Sequence, residues 1–171
     1  MLGSPPQPFE PLYAMWQDIT ETLASEFSDL PDAGQVTRIV LRLVIAAILG
    51  GVLGYERERQ GKAAGVRTHM LVALGAALFV LVPQQAGVSS ADMTRVIQGV
   101  VAGVGFLGAG AIIKGGAEES VKGLTTAAGI WLTAAIGIAC GLGREATAVL
   151  SALLAFAILA LVPHLPRFRD N

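Results

Sequence analysis

Residues Gly54–Phe79 read GYERERQGKAAGVRTHMLVALGAALF, a dense run of charge that opens directly into an apolar segment. Glu56, Arg57, Glu58, Arg59, Lys62 and Arg67 crowd its first half, and Thr68-His69 begin a nearly uncharged stretch. A carboxylate, several guanidiniums and an imidazole at such a junction suit cation passage, oxyanion binding or proton transfer. A small divalent cation wants several oxygen ligands and gives up water reluctantly. Of the acids beyond the N-terminal tail, only Glu56 approaches an apolar segment from this motif, and cationic neighbours surround it, which makes a poor dehydrated cage. Arg57, Arg59 and Arg67 suit an anionic or phosphate-bearing ligand as readily as a cation, and anionic lipid headgroups are their plainest explanation. His69 titrates nearest neutrality and so invites a proton-linked role, but alone it is no metal site. Two readings stand for Glu56, Arg59, Arg67, Thr68, His69 and Lys114: a solvated cluster of interfacial ion pairs, or a polar vestibule. A second polar group, Arg42, Asp92, Arg95 and Gln98, belongs at the opposite end. Arg42 and Glu56 share a helical face but cannot touch, since the intervening residues rise about 21 Å. Asp92 and Arg95 read as an ion pair or helix cap.

Other chemistries are excluded by residue type. Cys140 is the only cysteine, so there is no internal disulfide or cysteine-based metal cluster. GVGFLGAGA at Gly103–Ala111 is followed by no Gly-Lys-Ser/Thr and is not a phosphate-binding P-loop. No serine sits in a nucleophile elbow or beside a base. No basic patch with interleaved aromatics suggests nucleic acid. A non-enzymatic protein is expected, with no resident cofactor or metal.

The elements that must carry these residues follow from hydropathy. Of the 171 residues, 53% are hydrophobic and 15% charged, and mean hydropathy is +0.62. Soluble domains carry about a quarter charged residues, so the chain is too apolar for an ordinary soluble fold. Apolar runs at Val36–Tyr55, Thr68–Val82, Arg95–Ile113, Gly123–Gly141 and Ala146–Val162 are bounded by charge or proline. Crossing the hydrocarbon takes around 20 helical residues, with about 17 as the lower limit, and the alternation of a membrane barrel is missing. The expected fold is all-α, a polytopic membrane protein with five transmembrane helices over residues 36–163, the second run closing at Pro83. With the N-terminus outside, the inner side receives Arg57, Arg59, Lys62, Arg67, Lys114, Lys122, Arg167 and Arg169. The outer side receives only Arg38, Arg42, Arg95 and Arg144. That excess predicts N-out, C-in. Residues 1–35 form an acidic tail free of Lys and Arg, without the basic start and continuous apolar core of a signal peptide. In the tail Leu12, Met15/Trp16, Ile19, Leu23, Phe27 and Leu30 recur at helical steps, an amphipathic helix. Residues 164–171 are a short cytoplasmic tail.

Gly65–Leu78 aligns with Gly123–Ile136 at a constant offset, and Gly65/Gly123, Thr68/Thr126, Leu74/Leu132, Ala76/Ala134 and Ala77/Ala135 coincide. Upstream, GVLG at Gly51–Gly54 resembles GFLG at Gly105–Gly108. The expectation is a parallel repeat of a two-helix unit, of the kind related by an axis along the membrane normal. Small residues mark packing faces: Thr125, Gly129, Thr133, Gly137 and Gly141 on the fourth helix, Gly50 and Gly54 on the first, Gly99 and Gly103 on the third. The third helix is either regular or broken near Gly105–Gly110, where a break would let Gly108 and Gly110 line a ligand site.

At these residues the chain resembles the MgtC/SapB family of bacterial inner-membrane proteins. GGVLGYERERQGKAAGVRTHMLVALGAALF (Gly50–Phe79), QGVVAGVGFLGAGAIIK (Gln98–Lys114) and VKGLTTAAGIWLTAAIGIACGLG (Val121–Gly143) carry the resemblance. It implies a multi-pass protein of the inner membrane, associated with adaptation to low magnesium. It also implies one of two activities, transport of magnesium or regulation of another membrane protein such as ATP synthase. Mg²⁺ is then a substrate or a signal rather than a cofactor. The implied partners are the lipid bilayer, a second copy or another membrane protein, and no nucleic acid. MgtC-type members carry a soluble C-terminal domain, whereas here PHLPRFRDN follows the fifth helix closely, so the chain looks like the short SapB-like form.

Overall fold

Helix ends in this chain fall where local chemistry stops a helix. The structure is a computed structural model and describes residues 10–26, 28, 32–114 and 121–162. The helices are α1 (Glu10–Glu26), α2 (Ala33–Arg59), α3 (Val66–Gln85), α4 (Ser90–Gly110), α5 (Leu124–Gly141) and α6 (Glu145–Leu161). Asp32 Oδ1 accepts the Gln35 N–H at 2.8 Å and starts α2. Ser89 Oγ accepts the Asp92 N–H at 3.2 Å and starts α4. Gly123 precedes α5 at φ +94°, where a side chain would collide with the Ala111 carbonyl. Only glycine takes that position without strain.

One local feature differs from the sequence expectation, and one open alternative is decided. α3 does not close at Pro83 but continues to Gln85, because a proline in the final turn sacrifices a single N–H. α4 runs unbroken through Gly103, Gly105, Gly108 and Gly110; glycine weakens a helix by about 1 kcal/mol per residue without terminating it. The fold is all-α as expected, with one short addition: β1 (Ile113–Lys114) and β2 (Val121–Lys122) pair antiparallel, Ile113 opposite Lys122.

By its internal contacts the chain divides into residues 1–38 and 39–171. In the first unit, α1 carries Leu12, Met15, Trp16, Ile19 and Leu23 as exposed residues at three- and four-residue steps. Phe27 and Leu30 of the expected stripe lie outside the described residues. In the second unit α5 is the central helix, with α3, α4 and α6 packed on it. Gly129 faces His69, Gly137 faces Ala73 and Gly141 faces Ala77, so α5 and α3 run in the same direction. Gly50 opposes His69 and Ala73 while Gly54 opposes Val66, so α2 and α3 are antiparallel. Gly108 meets Ala127, which makes α4 antiparallel to α5. Two apolar clusters fill the bundle. Ala46, Leu53, Ala73, Ile136, Ala148 and Ala152 join α2, α3, α5 and α6. Ala76, Val80, Val104, Ile130 and Ile138 join α3, α4 and α5.

The outside of this bundle is as apolar as its interior. Leu41, Val44, Ile48, Val52, Leu71, Phe79, Phe106, Leu150, Leu153 and Ile158 are all exposed, Phe106 by 81%. Soluble monomers rarely present continuous apolar patches beyond a few hundred Å². Among the described residues, α2, α3, α4 and α5 are long and apolar enough to cross a bilayer. α6 is apolar but has 17 residues, a rise of about 26 Å against a hydrocarbon core of about 30 Å. The chain is a membrane protein.

Candidate functional site

The charged end of α2 is built by helical period. Gly50, Leu53, Gly54 and Arg57 recur at three- and four-residue steps and all are buried, whereas Tyr55, Glu58 and Arg59 face outward. Gly54 makes this possible: a Cβ there would stand 2.7 Å from Val66 Cα and 2.8 Å from the Gly65 oxygen. The start of α3 therefore rests directly on the α2 backbone. Glu58 fixes it there, its Oε2 accepting the Val66 N–H at 2.8 Å, an N-cap supplied from the neighbouring helix. Glu58→Ala is expected to cost about 1 kcal/mol, the usual worth of a cap. Chemical denaturation in mixed micelles would measure it, and Glu58→Gln, which keeps an acceptor, should cost less.

Three buried or half-buried polar residues, Glu56, Arg57 and Gln60, meet behind this contact, and His69 is buried on α3. Gln60 Nε2 donates to Glu56 Oε1 at 2.7 Å and to the Leu159 carbonyl at 2.9 Å, which ties α2 to α6. Arg57 Nη1 donates to Gln60 Oε1 at 3.2 Å. Arg59 Nη1 lies 4.0 Å from Glu56 Oε2. Arg57 is only 2% exposed and His69 0%. His69 Nδ1 sits 3.0 Å from the Gly65 carbonyl oxygen. A carbonyl only accepts, so the proton is assigned to Nδ1, and Nε2 of the neutral ring is a bare acceptor. Gly129 of α5 faces that nitrogen. Among the described residues, Arg57 Nε, Arg57 Nη2 and His69 Nε2 are buried without a hydrogen-bond partner.

Of the residues singled out for the inner vestibule, the structure brings Glu56 and Arg59 together and sets His69 on the neighbouring helix. Arg67 and Thr68 belong to the exposed face of α3 and do not join them. The Lys114 side chain is outside the described residues. Arg57 and Gln60 carry the centre of the cluster and were not among those singled out. The signal for Arg57 was its position seven residues after Gly50, on the glycine face; reading the whole run as a solvated charge cluster hides it. Among the described residues no three His, Cys, Asp or Glu side chains are grouped so as to hold a metal ion.

The outer polar group separates in two. Arg42 Nη1 donates to Gln84 Oε1 at 2.8 Å and to the Gly141 carbonyl at 3.0 Å, and Arg42 Nε lies 3.6 Å from Glu145 Oε1. Asp92 and Arg95 pair instead with each other, at 3.4 Å on exposed α4, and Gln98 is also exposed. Arg42 reaches the C-terminal end of α5 because the Gly141 carbonyl lacks a helical donor, and on α3 it meets the Gln84 side chain. The small-residue faces separate likewise. Gly50, Gly54 and Gly137 make the close backbone contacts expected of them, Gly129 meets only the His69 side chain at 3.5 Å, and Thr133 is buried with its hydroxyl donating to the Gly129 carbonyl at 2.8 Å. Gly99 and Gly103 do not pack: open space surrounds them, and they line an apolar groove of about 560 Å³ between α3 and α4 with Leu71, Phe79 and Leu107. α4 reaches α5 through Val104 and Gly108 instead.

Known proteins are similar to this chain over part of its length. SrpB of Synechococcus elongatus is 51% identical over 59% of this chain and 63% of its own length. The Escherichia coli K12 protein named "Putative magnesium transporter YhiD" is 41% identical over 74% of this chain and 61% of its own. Protein MgtC of Brucella abortus is 44% identical over 68% of this chain and 48% of its own. The chain thus spans from about half to under two thirds of the length of the curated relatives it matches. No solved structure matches it. The profile of the MgtC family matches residues 43–168, from the first contacts of α2 to beyond α6, and the chain belongs to that family.

Proposed function

We propose that this is a non-enzymatic, multi-pass protein of the bacterial inner membrane that serves magnesium homeostasis as a transporter or channel-like protein. The observation that carries the reading is the Glu56–Arg57–Gln60 cluster, tied to α6 through the Leu159 carbonyl, together with the buried His69 of α3, in a largely apolar bundle. Ionisable groups inside a membrane are expensive and by default mark a pathway or a site. The reference to magnesium transport in the name of YhiD supports the choice of ion. Mg²⁺ would pass hydrated, because one carboxylate flanked by arginines does not replace a hydration shell.

In this reading α2–α6 span the bilayer five times, residues 36–163 forming the membrane domain, with 1–35 outside and 164–171 in the cytoplasm. The excess of Lys and Arg at the α2–α3 end supports that orientation, and α6, at 17 residues, meets the lower limit for a span. The shared direction of α3 and α5 supports a parallel repeat of two hairpins, α2–α3 and α4–α5. Glu56 and Arg59 would stand at the inner mouth, with Arg67, Thr68 and Lys114 around it and Arg42, Asp92, Arg95 and Gln98 at the outer surface. Purified protein in liposomes should pass Mg²⁺ down a gradient, and Glu56→Gln should reduce that flux severalfold. No flux of any tested ion would sink transport.

One observation favours a second reading, regulation of another membrane protein: the open groove between α3 and α4, with Gly99 and Gly103 on its floor. A photocrosslinker at Gly103 should then capture one specific membrane protein in cells, and Gly103→Leu should abolish capture while the protein stays folded. Labelling of lipid alone would count against docking.

A further inference from the structure

We infer that Arg57 is the recognition element of an oxyanion site for a phosphate group, carried either by a lipid headgroup of the inner leaflet or by free phosphate. The inference goes beyond transport and does not depend on it. Of the guanidinium's donors, Nη1 is committed to Gln60. Nε and Nη2, which form the side-on fork of arginine, are buried and have no acceptor among the described residues. That fork matches two oxygens of a phosphate or carboxylate in a single plane. The nearby carboxylate does not answer it: Glu56 Oε1 is taken by Gln60 and Oε2 faces Arg59. Glu56 lies close enough to offset part of the charge, but two buried N–H donors without an acceptor are costly enough that proteins pair them.

The surroundings favour an anion over any other occupant. Arg57 and Arg59 outnumber Glu56, and both α3 and α5 begin at this end, each N-terminus carrying partial positive charge. Glu58 answers that of α3, while Gly123 gives α5 no side-chain cap. A phosphate, free or in a headgroup, presents two oxygens to the fork.

The test uses the full chain. Inorganic phosphate is titrated calorimetrically into the protein in maltoside micelles, which carry no phosphate of their own. In a second arm, native mass spectrometry counts phosphatidylglycerol retained from nanodiscs that contain it. Binding in the first arm identifies free phosphate, and retention only in the second identifies the headgroup. In either case Arg57→Gln should abolish the signal. Arg57→Lys, which keeps the charge and loses the fork, should weaken phosphate by about tenfold or more, or lower the count of retained lipid. Arg144→Gln, at an exposed position outside the proposed sites, should change nothing. Wild-type protein that binds in neither arm overturns the site, whatever the variants do. So does binding that Arg57→Lys leaves unchanged.

Discussion

Gly137→Ala is expected to destabilise the bundle by about 1–3 kcal/mol, the usual cost of overpacking a well-filled interior, while Gly99→Ala is neutral or stabilising. The two substitutions are chemically identical and both fall inside a helix. Helix propensity alone gives each about 1 kcal/mol in favour of alanine. At Gly137 a Cβ would press into the Ala73 peptide, meeting its Cα at 3.0 Å and its carbonyl carbon at 2.9 Å. Those are backbone atoms in the middle of α3, so no side-chain rotation relieves them and the helices must part. Separation would undo the fit that lets α3 and α5 approach without a hydrophobic drive between them. At Gly99 no atom lies within 4 Å, so only the propensity term operates. Unfolding by sodium dodecyl sulfate in mixed micelles would separate the two. Equal effects would mean that α3 and α5 are not in the register described.

The contrast shows what a sequence of this kind discloses. Gly137 and Gly99 sit in the same small-residue spacing, and nothing local distinguishes them; contact with α3 does. The helices themselves were legible, because apolar runs closed by charge, glycine and proline are a local signal. Helix ends were less so: Pro83 reads as a stop yet costs only one hydrogen bond in a last turn. The site divides the same way. Glu56 and His69 stand out because ionisable groups beside apolar runs are conspicuous. Arg57 is hidden among Glu56, Glu58 and Arg59, and only its phase relative to Gly50 and Gly54 turns it inward. Gln60 was invisible, since its importance lies in the Leu159 carbonyl of α6, a contact across the whole chain. Arg67 and Thr68 were chosen by proximity in sequence, and one turn of helix carries them away from the cluster.

Arg42→Ala is expected to cost roughly 2–3 kcal/mol, the upper range for hydrogen bonds made by a charged group. Its guanidinium joins three other helices at the end away from the Arg57 cluster, through Gln84 on α3, the Gly141 carbonyl on α5 and Glu145 on α6. The side chain is 22% exposed, against 34% for Glu145, so screening weakens the ion pair without removing it. The Gly141 carbonyl is the part that water cannot readily replace, because Gly141 is buried. Gly143, at φ +74°, completes the arrangement: a Cβ there would meet Arg42 Cζ at 2.9 Å. Lysine at position 42 keeps a charge for Glu145 but cannot reach Gln84 and Gly141 from one planar head, so Arg42→Lys should lose more than half of the contribution. A double-mutant cycle with Glu145→Ala isolates the ion pair, and its coupling should be the smaller share, no more than about 1 kcal/mol. A full effect recovered by lysine would instead make Arg42 a simple point charge. The tie between α3, α5 and α6 would then rest on apolar packing alone.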